Sequence, residues 1–166
     1  MVNNDLIYKE HIDEIDTSDA YFGKILFSKN NILVPYINMG ISNHELNRTK
    51  ELKHISYSYF VAIDFHFLKI NNDIIINDLK NKYDPWESVY LGGWDMLENQ
   101  NIFEIEIQAN NTFIQLVSNS QINEKIWIPL KETFFPMNLD EFTVNNFISN
   151  KDLPKNLSLI FQDCTD

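Results

Sequence analysis

The sequence predicts a mainly β protein, either an antiparallel β-sandwich or a strongly curved sheet, with one short C-terminal helix that would make it α+β at the margin. Three observations predict this class. Residues 55–70 form a long strand pattern that is apolar on both faces, seven or eight segments in all have strand-like patterns, and only one has clear helix signals. The length of 166 residues fits a single domain, 1–166.

Residues 1–22 are an acidic N-terminal segment of that domain. Six carboxylates face a single lysine, Lys9; they are Asp5, Glu10, Asp13, Glu14, Asp16 and Asp19. The apolar residues fit either a narrow stripe on a short helix or an edge strand at Leu6–Tyr8. Periodicity does not decide between the two.

Residues 24–28 and 32–37 have the pattern of a hairpin, because the asparagines between them tolerate the left-handed backbone of a tight turn. Pro35 lacks an amide donor, so its strand is expected at a sheet edge or at a bulge. Residues 38–54 are polar and aperiodic, and we expect a long loop, a kind of element that often has a function.

The segment 55–70 is expected to be a central strand with both faces covered. Strict alternation places one apolar set on the first face: Ile55, Tyr57, Tyr59, Val61, Ile63, Phe65 and Phe67. It places Phe60, Ala62, Leu68 and Ile70 on the second. Asp64 and His66 interrupt the second face.

Two shorter extended segments follow this strand. We expect a turn at 71–73, a strand at 74–76, a polar loop to Asp84, and extended chain over 86–91 that ends at two glycines.

The clearest hairpin pattern comes next. Residues 102–108 alternate Phe103, Ile105 and Ile107 inward with Glu104, Glu106 and Gln108 outward. A turn at 109–111 would return the chain as a strand over 112–118. Residues 124–130 and 157–162 have the pattern of two further strands.

One helix is expected from Asn138 to about Ser149. Asn138 is a good N-cap, and Glu141 stands three residues later as in a capping box. Leu139, Phe142 and Phe147 give a partial apolar stripe.

The charge balance excludes several classes of function. The formal net charge is −11 and Arg48 is the only arginine, so the basic footprint of nucleic-acid binding or of docking on anionic lipid is missing. Since no long apolar run occurs and no basic region followed by an apolar run is seen near the N-terminus, we expect neither a transmembrane helix nor a signal peptide. The single cysteine, Cys164, suits a reducing compartment, so we expect a cytoplasmic protein.

Motifs of catalysis and of cofactor binding are absent from the sequence, so we expect neither an enzyme nor a cofactor. The weak candidates for a metal site are Asp64 and His66, two apart on one strand. A third ligand would come from His44 or His54. A hydrogen-bonded structural pair is the favoured interpretation.

The segment 83–95 is the candidate binding site. It gathers large aromatic faces with acidic groups, which suits an interaction hot spot or stacking on a sugar ring. The candidate binding residues are Tyr83, Asp84, Trp86, Glu87, Tyr90, Trp94 and Asp95. Packing of the tryptophans in the core is the simpler alternative.

These features favour a protein-interaction domain, of the inhibitor or immunity type, that binds and neutralises a basic partner such as a bacterial toxin. Its contact surface would be 83–95, 38–54 or the acidic segment. A carbohydrate- or small-ligand-binding β-sandwich using Trp86, Trp94 and Trp127 is one alternative. A phage or structural assembly protein is another, and a metal protein or enzyme is a third.

Overall fold

The computed structural model describes residues 6–41, 53–78, 84–117, 120, 122–123 and 141–162. Their strands form one sheet of ten strands, mostly antiparallel, and two short helices follow near the C-terminus. The strands are β1 Leu6–Tyr8, β2 Tyr21–Phe22, β3 Leu26–Ser28, β4 Asn31–Gly40, β5 His54–Ile70, β6 Asp73–Asn77, β7 Val89–Leu91, β8 Trp94–Asp95, β9 Ile105–Leu116 and β10 Ile122–Asn123; the helices are α1 Glu141–Ile148 and α2 Lys155–Ile160. The mainly β prediction is confirmed.

Strand β5 is the centre of the sheet, as its two-sided apolar pattern predicts. On one side β4 pairs with its first half, from Ile32 opposite Ala62 to Gly40 opposite His54. On the other side β9 pairs with it from Ser58 to Ile70. Both faces of such a strand are buried, which explains why it carries so few polar residues.

The prediction that side chains alternate strictly between the two faces of β5 is wrong at two positions. Ile55 and Phe65 do not share the face of Tyr57, Tyr59 and Val61 but pack into the opposite core. Asp64 has φ 56°, in the left-handed region, and this residue shifts the alternation before Phe65. At the other end Asn38, at φ 64°, reorients the chain next to Met39, the cross-strand partner of Ile55.

Strand β9 is one continuous strand, so the predicted hairpin with a turn at 109–111 is wrong. Ala109 lies opposite Phe65 and Asn111 lies opposite Ile63. Residues 109–111 favour a turn by composition but stay extended here, because β5 is long enough to pair with β9 before and after them. The side chain of Asn110 also donates a hydrogen bond to Asp64.

Strand β4 lies inside the sheet, which corrects the expectation of an edge strand at Pro35. Its outer side pairs with β3 as far as Leu33 and with β2 from Tyr36, so Pro35 falls at the change of partner. There the missing amide costs nothing, and the Pro35 carbonyl still accepts from the Gly23 amide at 3.0 Å. The two ends of the expected loop 38–54 are strand instead, since β4 continues to Gly40 and β5 begins at His54. Residues 42–52 lie outside the described part.

The strand predicted at 157–162 is wrong, because this segment is helix α2. Leu157 and Phe161, four residues apart, are both fully buried, whereas Leu159 between them is exposed. Pro154 precedes the helix and its carbonyl accepts from the Leu157 and Ser158 amides. A helix of only six residues is too short for the spacing of its apolar residues to reveal the helical repeat of about 3.6 residues.

The predicted C-terminal helix is confirmed as α1, although its buried side differs from the predicted stripe. Phe147 is buried as expected, but Phe142 is exposed, and Val144 and Ile148 complete the contact. Asn138 and Leu139 lie outside the described residues, as does the predicted strand 124–130.

Smaller elements settle the remaining expectations. In the acidic segment Leu6–Tyr8 is a strand, paired with β9, and Ile12–Glu14 forms a 3-10 turn. The expected strand at 74–76 is confirmed as β6. Over 86–91 the chain is not extended throughout, because residues Pro85–Glu87 form a second 3-10 turn before β7.

The sheet separates two cores. It curls around the first, the inner core, whose members include Phe22, Tyr36 and Phe60. The second, the helix-covered core, lies between the opposite face of the sheet and helices α1 and α2, and it includes Tyr57, Tyr59 and Phe147. No helix in the described part of the chain is long and apolar enough to span a membrane.

Candidate functional site

The closing segment, residues 84–95, connects the two edges of the curled sheet. Strand β7 pairs with β9 at one edge, and β8 pairs with β2 at the other, with Gly92 and Gly93 between them. Gly93 adopts φ 126°, and a Cβ there would lie 2.8 Å from the Ala20 carbonyl oxygen. A glycine is therefore required where this segment passes β2.

Two buried side chains fix the middle of the closing segment to the inner core. The Gly92 amide donates to Thr17 Oγ1 at 2.8 Å, and the Tyr36 hydroxyl donates to the Gly92 carbonyl at 2.7 Å. Burial raises the pKa of the Tyr36 phenol well above its usual value, with the hydrogen bond from Thr17 opposing this in part.

This anchor predicts a loss of stability in alkali. A Tyr36 pKa raised in the folded state means that the protein is stabilised below the unfolded pKa, about 10, and loses that stability as pH rises above it. The free energy of unfolding of Tyr36→Phe is expected to be about 1 kcal/mol lower than that of the wild type at pH 7. Above a pH of about 10, this free energy should fall less steeply with pH in the variant than in the wild type. Urea unfolding at a series of pH values would measure both, and equal slopes for the two proteins would contradict the prediction.

The Trp86 turn, Pro85–Glu87, begins the closing segment. Asp84 caps it by accepting from the Trp86 amide at 3.0 Å. The buried side chain of Gln108 on β9 donates to the Asp84 carbonyl at 2.8 Å and to Ser88 Oγ at 2.9 Å. The turn is thus fixed at both ends to the sheet, while its central indole is 94% exposed.

Tyr90 on β7 brings a second aromatic ring to the same place. Its hydroxyl lies 3.5 Å from the Pro85 carbonyl oxygen, so the ring folds back against the Trp86 turn while remaining 49% exposed. Glu87 in the turn is exposed as well. These three residues form one surface, which we call the Trp86–Tyr90 patch: Trp86, Glu87 and Tyr90.

Trp94 and Asp95 belong to the opposite edge of the sheet. Trp94 is half exposed and pairs with Tyr21 of β2, so it faces the side that carries the helices. Asp95 accepts from the amides of Leu97 and Gln100 and from the Gln100 side chain at 2.9 to 3.2 Å. Its carboxylate therefore organises the loop after β8.

The structure brings together only part of the predicted site. Trp86, Glu87 and Tyr90 form one patch, whereas Trp94 lies on another edge. The carboxylates of Asp84 and Asp95 hold the chain in place. Tyr83 lies outside the described residues.

The candidate metal residues do not gather a ligand set. Asp64 accepts from the Asn110 side chain, and its amide donates to Asn31 Oδ1 at 2.9 Å. His54 is at the start of β5, ten residues from Asp64 and about 30 Å away along an extended strand, so it cannot be the third ligand. His44 lies outside the described residues, among which no group of three potential ligands occurs.

Sequence reasoning missed one residue beside the patch, Glu106. Its outward direction was expected, but the outward side of β9 is not open to solvent: Glu106 and Gln108 are both buried. The sequence shows Glu106 between two isoleucines of a strand, and this was the available signal for it. Its burial depends on the neighbouring strands, so the sequence pattern alone does not predict it.

Comparisons of the chain with protein-family models, with curated proteins and with solved structures gave no match. The geometry of its own residues therefore carries the functional argument.

Proposed function

We propose that this protein is an acidic interaction domain that binds a basic protein partner through the Trp86–Tyr90 patch. The observation that carries the proposal is the position of Trp86: an almost fully exposed indole on a turn whose two ends are hydrogen-bonded to Gln108 of the sheet. We propose recognition rather than catalysis as its role.

Exposure of this indole is costly unless a partner covers it. A tryptophan buries about 150–250 Å² of surface when covered, which at about 25 cal/mol per Å² corresponds to roughly 4–6 kcal/mol of transfer free energy. The fixed turn also reduces the entropy lost when the ring is immobilised at an interface. Trp and Tyr are the residue types that most often dominate binding energy.

The charge of the chain indicates the kind of partner. The net charge is −11, and Glu87 within the patch is exposed. Acidic surfaces accelerate the approach of basic proteins and raise the salt dependence of their binding. A small acidic domain that inhibits a basic bacterial toxin, as immunity proteins do, fits these features. The single cysteine is compatible with binding in the reducing cytoplasm.

The test compares two exposed aromatic side chains, Trp86 in the patch and Phe142 on α1. Tagged wild-type protein, Trp86→Ala and Phe142→Ala are used to capture proteins from a lysate of the source cell. A basic protein is expected on the wild type and on Phe142→Ala. Its affinity for Trp86→Ala should fall at least tenfold, and rising salt should release it from all three.

The opposite outcomes are equally clear. Retention of the same proteins by Trp86→Ala would overturn the patch as the binding site. Failure of the wild type to retain any basic protein would overturn the proposal that the partner is basic. Matching circular dichroism spectra and melting temperatures of the three proteins serve as the control for folding.

An exposed indole also suits stacking on a sugar ring, which keeps a carbohydrate ligand as the second candidate. Trp94 would have to act separately, since it lies on another edge of the sheet. Trp127 lies outside the described residues. Tryptophan fluorescence titrated with a glycan panel separates the two functions, because a sugar ligand would shift the emission of Trp86 and a protein-binding site would not respond.

A further inference from the structure

Glu106 lies in a row of side chains that crosses the sheet beside the Trp86–Tyr90 patch. The cross-strand pairs are Tyr90 with Glu106, Glu106 with Lys69, and Lys69 with Ile74. Residues paired in this way share one face of a sheet. The neighbours of Glu106 on β9, Ile105 and Ile107, point into the inner core, so this row points away from it.

Glu106 is buried with one oxygen of its carboxylate lacking a hydrogen-bond partner among the described residues. The residue is only 7% exposed, and the oxygen without a partner is Oε2. Lys69 is its cross-strand neighbour, yet no ion pair joins these two residues of the described chain. A buried carboxylate oxygen without a donor is costly, and a cationic side chain from a partner would supply the missing donor.

Access to Glu106 is from the ends of its row, because Glu106 itself is buried. The residues beneath helices α1 and α2 are in the other half of this face and include Tyr59 and Val61. At the two ends of the Glu106 row, Tyr90 and Ile74 remain about half exposed. The Trp86 turn is held next to the row, because Gln108, two residues from Glu106 on β9, bonds both of its ends.

We propose that Glu106 receives a lysine or arginine side chain of the basic partner. The proposal rests on the proposed function and names the chemistry that the site recognises. The cationic group donates to the carboxylate, and the ring of Tyr90 packs on the aliphatic stem and on the charge itself. A metal ion is not the occupant that fits, because no group of three potential ligands occurs in the described part of the chain.

The experiment compares Glu106→Gln with Glu104→Gln, which removes the same charge from an exposed position two residues away. The first probe is an octa-arginine peptide, titrated against tryptophan fluorescence at low salt. Glu106→Gln is expected to bind it at least fivefold more weakly than Glu104→Gln does. The melting temperature of Glu106→Gln should equal or exceed that of the wild type, because an unpaired buried charge is removed.

Each result has a distinct meaning. Equal affinities of the two variants for octa-arginine would overturn the role of Glu106, and so would a large fall in the melting temperature of Glu106→Gln, which marks a structural residue. The second probe is the basic protein retained by the wild type. If Trp86→Ala loses it and Glu106→Gln binds it normally, the inference fails and the proposed function stands. If Trp86→Ala binds it normally, the proposed function fails.

Discussion

Replacing Gly23 with alanine is expected to destabilise the protein by roughly 3 kcal/mol, one of the two largest effects that this structure predicts. A Cβ at this position would lie 2.2 Å from the carbonyl oxygen of Ile148 and 2.5 Å from its Cα. These are backbone atoms of helix α1, so the whole helix must move. The movement would also break the hydrogen bond from the Lys24 amide to Ile148, now 2.7 Å long.

Gly92→Ala is the matched control for this substitution. Its Cβ would meet nothing closer than the Phe103 carbonyl oxygen at 3.6 Å, an ordinary contact. Urea unfolding followed by circular dichroism gives the free energy of each variant. A Gly23→Ala protein as stable as Gly92→Ala would show that the end of α1 at Ile148 does not lie against Gly23.

Replacing Leu157 with alanine is expected to cost about 2–5 kcal/mol, since its side chain is fully buried under α2 in the helix-covered core. The substitution leaves a cavity between the helix and Phe161, Tyr59 and their neighbours. Part of the attachment survives, because the side chains of Gln115 and Asn156 exchange two hydrogen bonds of 3.1 and 2.8 Å.

Leu159→Ala is the control, and it also tests the local structure. Leu159 is 63% exposed, so its loss should change the free energy of unfolding by less than about 0.5 kcal/mol. In a strand, Leu157 and Leu159 would lie on the same face and the two variants would behave alike. Equal destabilisation in thermal or urea unfolding would therefore contradict helix α2.

The sequence was most informative where its pattern was longest. The apolar residues on both sides of 55–70 predict a central strand, because both faces of such a strand must be covered. The pattern failed where a single residue changes the geometry. Asp64, at φ 56°, moves Phe65 to the opposite core, and nothing in its side chain indicates this.

The candidate site was predicted in part for a related reason. Composition identifies 83–95 as a cluster of aromatic and acidic residues, but the exposure of each depends on contacts far away in sequence. Gln108 fixes the turn that exposes Trp86, and Gln100 engages Asp95. Hydrogen bonds over such distances have no local pattern, so the patch could not be separated from the structural residues beside it.

By itself the sequence determined the β class, the central strand, the strong acidity and the clustering of aromatic and acidic residues in 83–95. Only the tertiary structure decided that β9 runs straight through Ala109 and Asn111, that residues 155–160 are helical, and that Glu106 is buried beside Tyr90. The physical reason is the same in each case. Intrinsic conformational propensities differ by about 1 kcal/mol or less per residue. Pairing with a neighbouring strand, or burial against it, outweighs these differences.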